Sequence, residues 1–325
     1  MSEVMHFENF TLQSGVVLPK VTLGYKTFGR LNSAGDNCIL LPSSYAGAHV
    51  SYAQLISRAR PLSPARYFIV VVNLLGNGLS SSPSNTASPF HGADFPNVTI
   101  ADNVRLQYRL LTEHLKVQQI ALVYGFSLGA MQGFAWAAIY PKMVQRLLAV
   151  CGSAKCWPLT ALIMQVAMSV LKSDPNFRGG HYTIVPEAGL RALSRVTVAW
   201  SYSAAFFRDQ LYRNFGVESA DAVAQYWENY TLATDANDLL SMFWTWKNAS
   251  TELADLQKIT ARTIVMPCDH DLYFSLDEAR IEAAQIPNAE FRPIISPYGH
   301  IAGVPGLLCA ETLFVEQAIR DLLAR

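Results

Sequence analysis

The chain has 325 residues, of which 51% are hydrophobic and 15% are charged. This composition supports a large buried core and excludes an intrinsically disordered chain, a collagen-like repeat and a small disulfide scaffold. Basic and acidic residues number 25 each, so no excess of positive charge indicates a nucleic acid as partner.

Five short, continuously apolar segments predict the strands of a buried sheet. They are residues 38–41, 67–72, 120–124, 147–151 and 263–266. Strands that are apolar on both faces are typical of a parallel sheet that is covered by helices on either side.

Segments with helical periodicity lie between these strands. Residues 100–115 form one such segment, with Thr99 and Asp102 as candidate N-terminal caps. Residues 127–140 predict a second helix, and residues 309–324 predict an amphipathic helix that closes the chain. The predicted buried stripe of that last helix consists of Leu313, Ala318, Ile319 and Leu322. The alternation of strands and helices predicts an α/β protein with a mostly parallel, doubly wound sheet.

The strand pattern stops between residues 153 and 250, where the chain has a helical pattern and is rich in aromatic residues. It resumes at residue 263. We therefore predict a core made of residues 1–152 and 251–325, with residues 153–250 inserted as a helical cap over the carboxyl edge of the sheet.

A Gly-X-Ser-X-Gly motif at residues 125–129 is the candidate site of a nucleophile. It follows a predicted strand, and a predicted helix begins at its serine, Ser127. A nucleophile elbow requires this strand–turn–helix, because the sharp turn lifts the hydroxyl above the sheet and leaves no room for side chains at Gly125 and Gly129. The alternative is an ordinary glycine-rich turn.

A nucleophilic serine needs a histidine as base and an acid that orients the histidine. In proteins with an elbow of this type the acid follows the serine in the chain, and the histidine follows the acid. Three histidines follow Ser127, namely His181, His270 and His300. We predict His300 as the base, because it lies between the strand-like residues 290–295 and the closing helix.

The acid is expected in the loop after the predicted strand 263–266. Asp269 and Asp271 both lie there, and the pattern alone does not separate them. One of the two is expected to form a turn by bonding its own backbone.

The oxyanion hole of such a site takes one backbone N–H from the residue after the nucleophile, here Leu128, and one from the loop after an early strand. That loop is expected at residues 42–47, where small residues surround Tyr45 and would let the backbone approach a substrate. An ordinary turn at this position is the alternative.

No pattern predicts a metal ion or a cofactor. Cysteine spacings that bind zinc are absent from the sequence. Gly76 and Gly78 resemble the start of a dinucleotide-binding turn, but Ser81 stands where the third glycine would fall and Pro83 prevents a helix from beginning there.

Several features predict a cytoplasmic protein that does not enter a membrane. The five cysteines are odd in number and several lie in apolar runs, which is typical of reduced, buried thiols. The first ten residues lack the features of a signal peptide. The longest apolar stretch, residues 157–171, contains polar residues and is too short to span a bilayer.

The chain resembles the homoserine O-acetyltransferase-like group of α/β-hydrolases nearly from end to end. The matching segments are residues 24–32, 73–78, 95–100, 125–132, 174–175, 179–182 and 235–240. The resemblance implies an α/β-hydrolase fold in which Ser127 is the nucleophile, Asp271 the acid and His300 the base, with Tyr45 and Leu128 at the oxyanion hole. It also implies a homodimer that assembles through the cap.

Two positions differ from true homoserine acetyltransferases. In those enzymes an Asp follows the catalytic histidine, whereas Ile301 stands there in this chain. Those enzymes also have a polar cap segment, whereas residues 157–171 of this chain are apolar. An apolar cap does not neutralise a zwitterionic amino acid, because burying an unpaired charge is costly. We therefore predict a serine hydrolase of small, largely apolar esters. The alternatives are transfer of an acetyl group from acetyl-CoA to a hydroxyl acceptor and a non-catalytic ligand-binding protein.

Overall fold

The structure is a computed structural model that describes residues 3–45 and 47–324. Its strands are β1 (Glu3–Thr11), β2 (Val17–Phe28), β3 (Cys38–Pro42), β4 (Phe68–Val72), β5 (Ile120–Phe126), β6 (Arg146–Val150), β7 (Arg262–Met266) and β8 (Ala289–Phe291). Within the described residues they form one sheet in the order β1-β2-β4-β3-β5-β6-β7-β8. From β4 to β8 neighbouring strands are parallel, and β2 pairs antiparallel with both β1 and β4. The predicted mostly parallel sheet is confirmed.

The helices are α1 (Ile100–Arg109), α2 (Leu128–Ile139), α3 (Pro158–Lys172), α4 (Glu187–Ser201), α5 (Ala204–Arg208), α6 (Ala220–Leu232), α7 (Ala236–Lys247), α8 (Leu253–Leu256), α9 (Leu276–Ala283) and α10 (Cys309–Leu323). They cover both faces of the sheet. Val70 and Val72 of β4 belong to the same core cluster as α1 and α2, whereas Ile69 and Val71 belong to the cluster that α10 completes. The doubly wound arrangement is therefore present, because successive side chains of a strand point to opposite faces.

The five strands predicted from apolar runs correspond to β3–β7, with ends that differ by one or two residues. The predicted strand 290–295 is wrong in length, because β8 ends at Phe291, just before Pro293, which has no N–H for a ladder bond. The sequence pattern also missed β1 and β2. In β1 the buried residues Phe7 and Phe10 are three apart, with the left-handed residue Asn9 (φ 50°) between them, so the period of two is broken.

Two of the three predicted helices differ from the observed ones in detail. Thr99 caps α1 and Asp102 completes a capping box, as expected for this pair, but the α-helix ends at Arg109 and a single π-helical turn follows. Leu313 of α10 is 56% exposed, so its place in the predicted buried stripe is wrong. Val315 occupies that stripe, because spacings of three and four residues align it with Ala318, Ile319 and Leu322. The third, predicted at residues 127–140, corresponds to α2.

Residues 153–250, which lie between β6 and β7, contain helices α3–α7, and we call them the helical segment. Its two ends lie side by side, because the N–H of Cys156 donates to the carbonyl of Ala249 (2.8 Å) and that of Thr251 to the carbonyl of Ala154 (3.1 Å). None of the helices in the described part of the chain has the length and hydropathy that a membrane span requires.

Candidate active site

Ser127 lies at a sharp turn between β5 and α2. Its backbone angles are φ 57° and ψ −126°, a conformation that residues with a side chain rarely adopt and that stores strain. The turn is held from the neighbouring strand, since the N–H of Ser127 donates to the carbonyl of Val150 at 2.9 Å. The strand–turn–helix expected for residues 125–129 is therefore present.

The two glycines of the motif are required by close backbone contacts. A Cβ at Gly125 would lie 2.1 Å from the carbonyl oxygen of Gly129. A Cβ at Gly129 would lie 2.4 Å from the carbonyl oxygen of Pro42, at the end of β3. Any side chain at either position would push the helix away from the sheet, and the turn at Ser127 would open.

The structure brings the three predicted triad residues together. The hydroxyl oxygen of Ser127 lies 3.0 Å from Nε2 of His300, and Nδ1 of His300 lies 2.7 Å from Oδ2 of Asp271. An ionised carboxylate only accepts hydrogen bonds, so Nδ1 carries the ring proton and Nε2 accepts from the serine hydroxyl. All three residues are buried, with exposed fractions of 1%, 8% and 7% for Ser127, His300 and Asp271.

Asp271 and Asp269 have different partners. Oδ1 of Asp271 accepts from the N–H groups of Tyr273 (2.8 Å) and Phe274 (3.1 Å), which leaves Oδ2 directed at His300. Asp269 instead accepts from the N–H of Ser296 at 3.0 Å and pairs with His270. Sequence reasoning assigned turn formation and contact with the histidine to separate aspartates, but Asp271 makes both interactions.

The other two histidines after Ser127 lie elsewhere. His181 is exposed in the helical segment, and His270 is half-exposed beside Asp269. His300 is enclosed by aromatic rings, with centroid distances of 5.0 Å to Phe126 and 5.4 Å to Phe274. These rings pack against the imidazole and hold its plane in place.

Leu128 and Tyr45 are the two residues whose N–H groups the sequence predicts as oxyanion donors. Leu128 is the first residue of α2, and N–H groups in a first turn have no acceptor within the helix. Tyr45 lies in the loop after β3, and its ring packs on Phe243 (5.2 Å) and Trp246 (5.6 Å) of α7. Burial raises the pKa of the Tyr45 phenol. The next residue, Ala46, lies outside the described residues.

A cavity of about 490 Å³ opens beside Ser127 and His300. Its wall in the helical segment is largely aromatic, with Tyr202, Phe206, Tyr212, Phe215, Tyr226 and Trp227. The opposite wall includes Tyr45, Tyr52, Phe126, Tyr273 and Ile301. Among the described residues of the lining, His300 is the only ionisable side chain besides the tyrosine phenols, so they offer no carboxylate, lysine or arginine to a substrate.

Contacts that the sequence did not predict join the helical segment to the loops of His300 and Asp271. The hydroxyl of Ser203 donates to the carbonyl of Pro297, three residues before His300. The hydroxyl of Tyr273 donates to the carbonyl of Thr197 in α4 (2.6 Å), and the hydroxyl of Thr160 in α3 donates to the carbonyl of Tyr273 (2.5 Å). These pairs are 76 to 113 residues apart in the chain, so no local pattern indicates them.

A second cavity, of about 350 Å³, lies between α3, α7 and the loop that contains Pro83 and Phe95. Among the described residues, the two cavities share no lining residue, and the one charged residue in the lining of the smaller cavity, Lys172, is exposed. Ser127 and His300 line the larger cavity, which we therefore take as the candidate active site.

Comparison with known proteins shows the family of this chain. A family model described as alpha/beta hydrolase fold matches residues 37–306. The ethyl acetate hydrolase of Pseudomonas veronii is 36% identical over 97% of this chain and 92% of its own length. A homoserine O-acetyltransferase of Trichormus variabilis is 32% identical over 90% of this chain and 87% of its own length.

Solved structures give the same result. That of the acetyl esterase MekB matches with a TM-score of 0.96 and 35% identity, covering 100% of this chain and 97% of that one. An acetylester hydrolase from Corynebacterium glutamicum also has a TM-score of 0.96, with 32% identity over 99% of this chain and 96% of that one. The chain therefore belongs to the α/β-hydrolase family, and its relatives there include both acetyl ester hydrolases and homoserine O-acetyltransferases.

Proposed function

We propose that this protein hydrolyses small, largely apolar carboxylic esters, acetates among them, through an acyl-enzyme on Ser127. The hydrogen bonds from Ser127 to His300 and from His300 to Asp271 support this proposal, as does a cavity whose described lining has no lysine, arginine or carboxylate. Relatives named as an ethyl acetate hydrolase and an acetylester hydrolase support the choice of acetates.

In the proposed reaction, Nε2 of His300 takes the proton of the Ser127 hydroxyl as its oxygen attacks the ester carbonyl carbon. The carbonyl oxygen becomes an oxyanion, which accepts hydrogen bonds from the N–H groups of Leu128 and Tyr45. The protonated His300, stabilised by Asp271, then gives its proton to the departing alkoxide. An alcohol leaves and the acyl group stays on Ser127.

Water completes the cycle through the same groups. His300 removes a proton from a water molecule, whose oxygen attacks the acyl carbon, and a second oxyanion forms at the same N–H groups. Collapse of this intermediate breaks the bond to Ser127, whose oxygen regains the proton from His300. A carboxylic acid is released, and the serine and histidine return to their starting states.

Acetyl transfer from acetyl-CoA to a hydroxyl acceptor is the second candidate, because several relatives are named homoserine O-acetyltransferase. Both reactions share the acyl-enzyme and differ in whether an alcohol replaces water. The lining residues that the structure describes include no lysine or arginine for a carboxylate or a phosphate and no acid for an ammonium group. Ile301 is one of these residues. This absence of charge favours hydrolysis of uncharged esters over transfer to an amino acid.

We also propose that residues 153–250 act as a cap on a core of residues 1–152 and 251–325. The aromatic wall over Ser127 and the paired ends of the helical segment support this division. A homodimer through the cap is part of the proposal, supported by Leu159, Leu162 and Val166, which lie at spacings of three and four residues on the exposed face of α3. Light scattering on the wild type and Leu162→Glu, with a dimer expected only for the wild type, tests it.

A cytoplasmic location completes the proposal. All five cysteines are free in the structure, and three of them are buried. Reduced thiols are typical of proteins in a reducing compartment.

The first experiment measures acetate release from p-nitrophenyl acetate and from acetyl-CoA, with and without homoserine and simple alcohols. We expect ester hydrolysis that homoserine leaves unchanged. Ser127→Ala should lower the rate on the order of a thousandfold or more and remain folded, whereas Ser169→Ala, on the exposed face of α3, should retain it. Unchanged turnover in Ser127→Ala would contradict the assignment, and acetyl-CoA turnover that appears only with an added alcohol would favour the transferase.

A further inference from the structure

Residues 42–45, which we call the oxyanion loop, are held at two successive carbonyl groups by buried side chains. The hydroxyl of Tyr52 donates to the carbonyl of Pro42 (3.1 Å) and accepts from the N–H of Phe126 (3.2 Å), the residue before Ser127. The side-chain amide of Gln132 donates to the carbonyl of Ser43 at 2.9 Å. The oxyanion loop is therefore bonded to both sides of the turn at Ser127, namely the end of β5 and the first turns of α2.

Gln132 belongs to a buried chain of three side chains. Nε1 of Trp136 donates to Oε1 of Gln107 at 2.7 Å, and Nε2 of Gln107 donates to Oε1 of Gln132 at 2.7 Å. An indole N–H only donates, so Gln107 must turn its oxygen toward Trp136 and its NH₂ toward Gln132. Gln132 must then present its own NH₂ to Ser43. One indole thus determines the orientation of both amides.

The amide of Gln132 touches both halves of the proposed oxyanion hole. Besides the carbonyl of Ser43, its Nε2 lies 3.4 Å from the carbonyl of Leu128, one helical turn earlier in α2. Leu128 provides one proposed donor N–H, and the loop after Ser43 provides the other at Tyr45. The position of this single NH₂ group therefore helps to set the distance between the two proposed donor N–H groups.

Burial makes this arrangement rigid. Trp136, Gln107, Gln132 and Ser43 are all fully buried, so no water is at hand to replace a lost bond. A buried amide is stable only when it is hydrogen-bonded, and a core that needed only packing would be served as well by apolar side chains of the same volume. A chain of three polar groups that ends on the oxyanion loop points to a positional role.

We propose that Gln132, oriented by Gln107 and Trp136, is a positioning residue that sets the separation of the Leu128 and Tyr45 N–H groups for the oxyanion. This inference rests on the proposed esterase function and assigns Gln132 no contact with substrate. Oxyanion donors act at 2.7–3.1 Å from the developing charge, so a shifted loop weakens the bonds made in the transition state more than the binding of the uncharged ester. Loss of the amide should therefore lower kcat and leave KM nearly unchanged.

The test compares the wild type with Gln132→Met, which keeps the side-chain length but removes the amide, and with Met131→Leu as a matched control at the neighbouring buried position. The readouts are kcat and KM for p-nitrophenyl acetate and the inhibition constant of a trifluoromethyl ketone, which adds to an active serine as a tetrahedral oxyanion. In Gln132→Met we expect kcat to fall about 10-fold. This is a smaller loss than the roughly 100-fold loss of kcat that follows when an oxyanion donor is itself removed. KM should stay within about twofold, and the inhibitor should bind weaker by the same factor as kcat falls.

Trp136→Phe is the second variant, because it removes the indole N–H without touching the oxyanion loop. This variant should also lower kcat, but by a smaller factor than Gln132→Met. Without the indole N–H the amide of Gln107 is free to turn, and the orientation of Gln132 is then less strictly set. Active sites are titrated in every variant, so that a loss of folded protein is not counted as a loss of rate.

A Gln132→Met protein with unchanged kcat and inhibitor affinity per active site would overturn the inference while the wild-type esterase activity stands. So would a loss of stability alone, with normal activity in the folded fraction. If the wild type hydrolyses no ester and does not bind the ketone, the proposed function fails and this inference fails with it.

Discussion

The hydroxyl oxygen of Ser127 lies 3.0 Å from Nε2 of His300, although 173 residues separate them in the chain. On the other side of the imidazole, Asp271 is bonded to Nδ1 at 2.7 Å. Both distances suit the proton transfer from the serine to His300 that the proposed reaction requires.

The first prediction separates the two neighbouring aspartates. Asp271→Asn keeps an oxygen for the N–H groups of Tyr273 and Phe274 but turns an NH₂ toward Nδ1 of His300, which forces the wrong tautomer. We expect kcat for p-nitrophenyl acetate to fall on the order of 1,000-fold or more, by analogy with the serine proteases. Asp269→Asn, whose partners are Ser296 and His270, should cost less than about tenfold by the same assay. Equal losses in the two variants would contradict the assignment of Asp271.

The second prediction concerns backbone strain at Ser127. Glycine adopts φ 57° and ψ −126° freely, whereas alanine retains the Cβ that is crowded there. Ser127→Gly should therefore be about 1 kcal/mol more stable to urea than Ser127→Ala. At an unstrained helical position such as Ala130, the change to glycine should instead destabilise the fold by about 1 kcal/mol or more. A Ser127→Gly protein that is less stable than Ser127→Ala would show that the turn is not strained.

A third prediction follows from Ile301, which is buried with Tyr202 and Phe206 and lines the cavity. Ile301→Asp places a charge where no cation faces it, and we expect it to lower the free energy of unfolding by about 3 kcal/mol or more at neutral pH. The neutral variant Ile301→Asn should lose less, and the difference should shrink at acidic pH. Neither variant should acetylate homoserine from acetyl-CoA. Efficient transfer by a stable Ile301→Asp would show that this residue alone separates the two activities.

The fourth prediction concerns pH and Glu282 of α9, which is fully buried where the helical segment begins. It accepts from the N–H of Ala154 (2.8 Å) and from Nε1 of Trp157 (2.7 Å), and burial raises its pKa from 4.5 to about 7. Between these two pH values the native state holds a proton that the unfolded chain has released, so stability falls as the pH rises through that window.

The measurement is urea unfolding at several pH values from 5 to 8, for the wild type and Glu282→Gln. We expect the variant to be less stable at acidic pH, because its NH₂ faces an N–H donor, but to lose less stability as the pH rises. Asp238, whose pKa burial raises to about 6, contributes to the slope in both proteins, so the difference between the two slopes isolates Glu282. Parallel slopes would contradict the prediction.

Local patterns in the sequence predict the central strands and the turn at Ser127. A run of apolar residues indicates burial on both faces of a strand, and Gly125 and Gly129 stand where a Cβ would collide with backbone. The prediction of His300 as the base rests instead on its place in the chain after Ser127. Strand β1 escaped this kind of reasoning, because the backbone at Asn9 interrupts its alternation. The predicted burial of Leu313 is wrong because helical periodicity shows which side of a helix is apolar, but not how far the buried surface extends. That limit depends on the elements that pack beside α10.

Which groups meet depends on how the whole chain packs. This packing directs Oδ2 of Asp271, and not Asp269, at His300, and it places the carbonyl of Ser43 against Gln132, 89 residues away. It also brings Tyr202, Phe206 and Trp227 over the serine as the wall of the cavity. Hydrogen bonds act over about 3 Å, and the separation of residues far apart in the chain is set by the packing of whole helices on the sheet. Local sequence patterns do not give the distance between such residues to that precision.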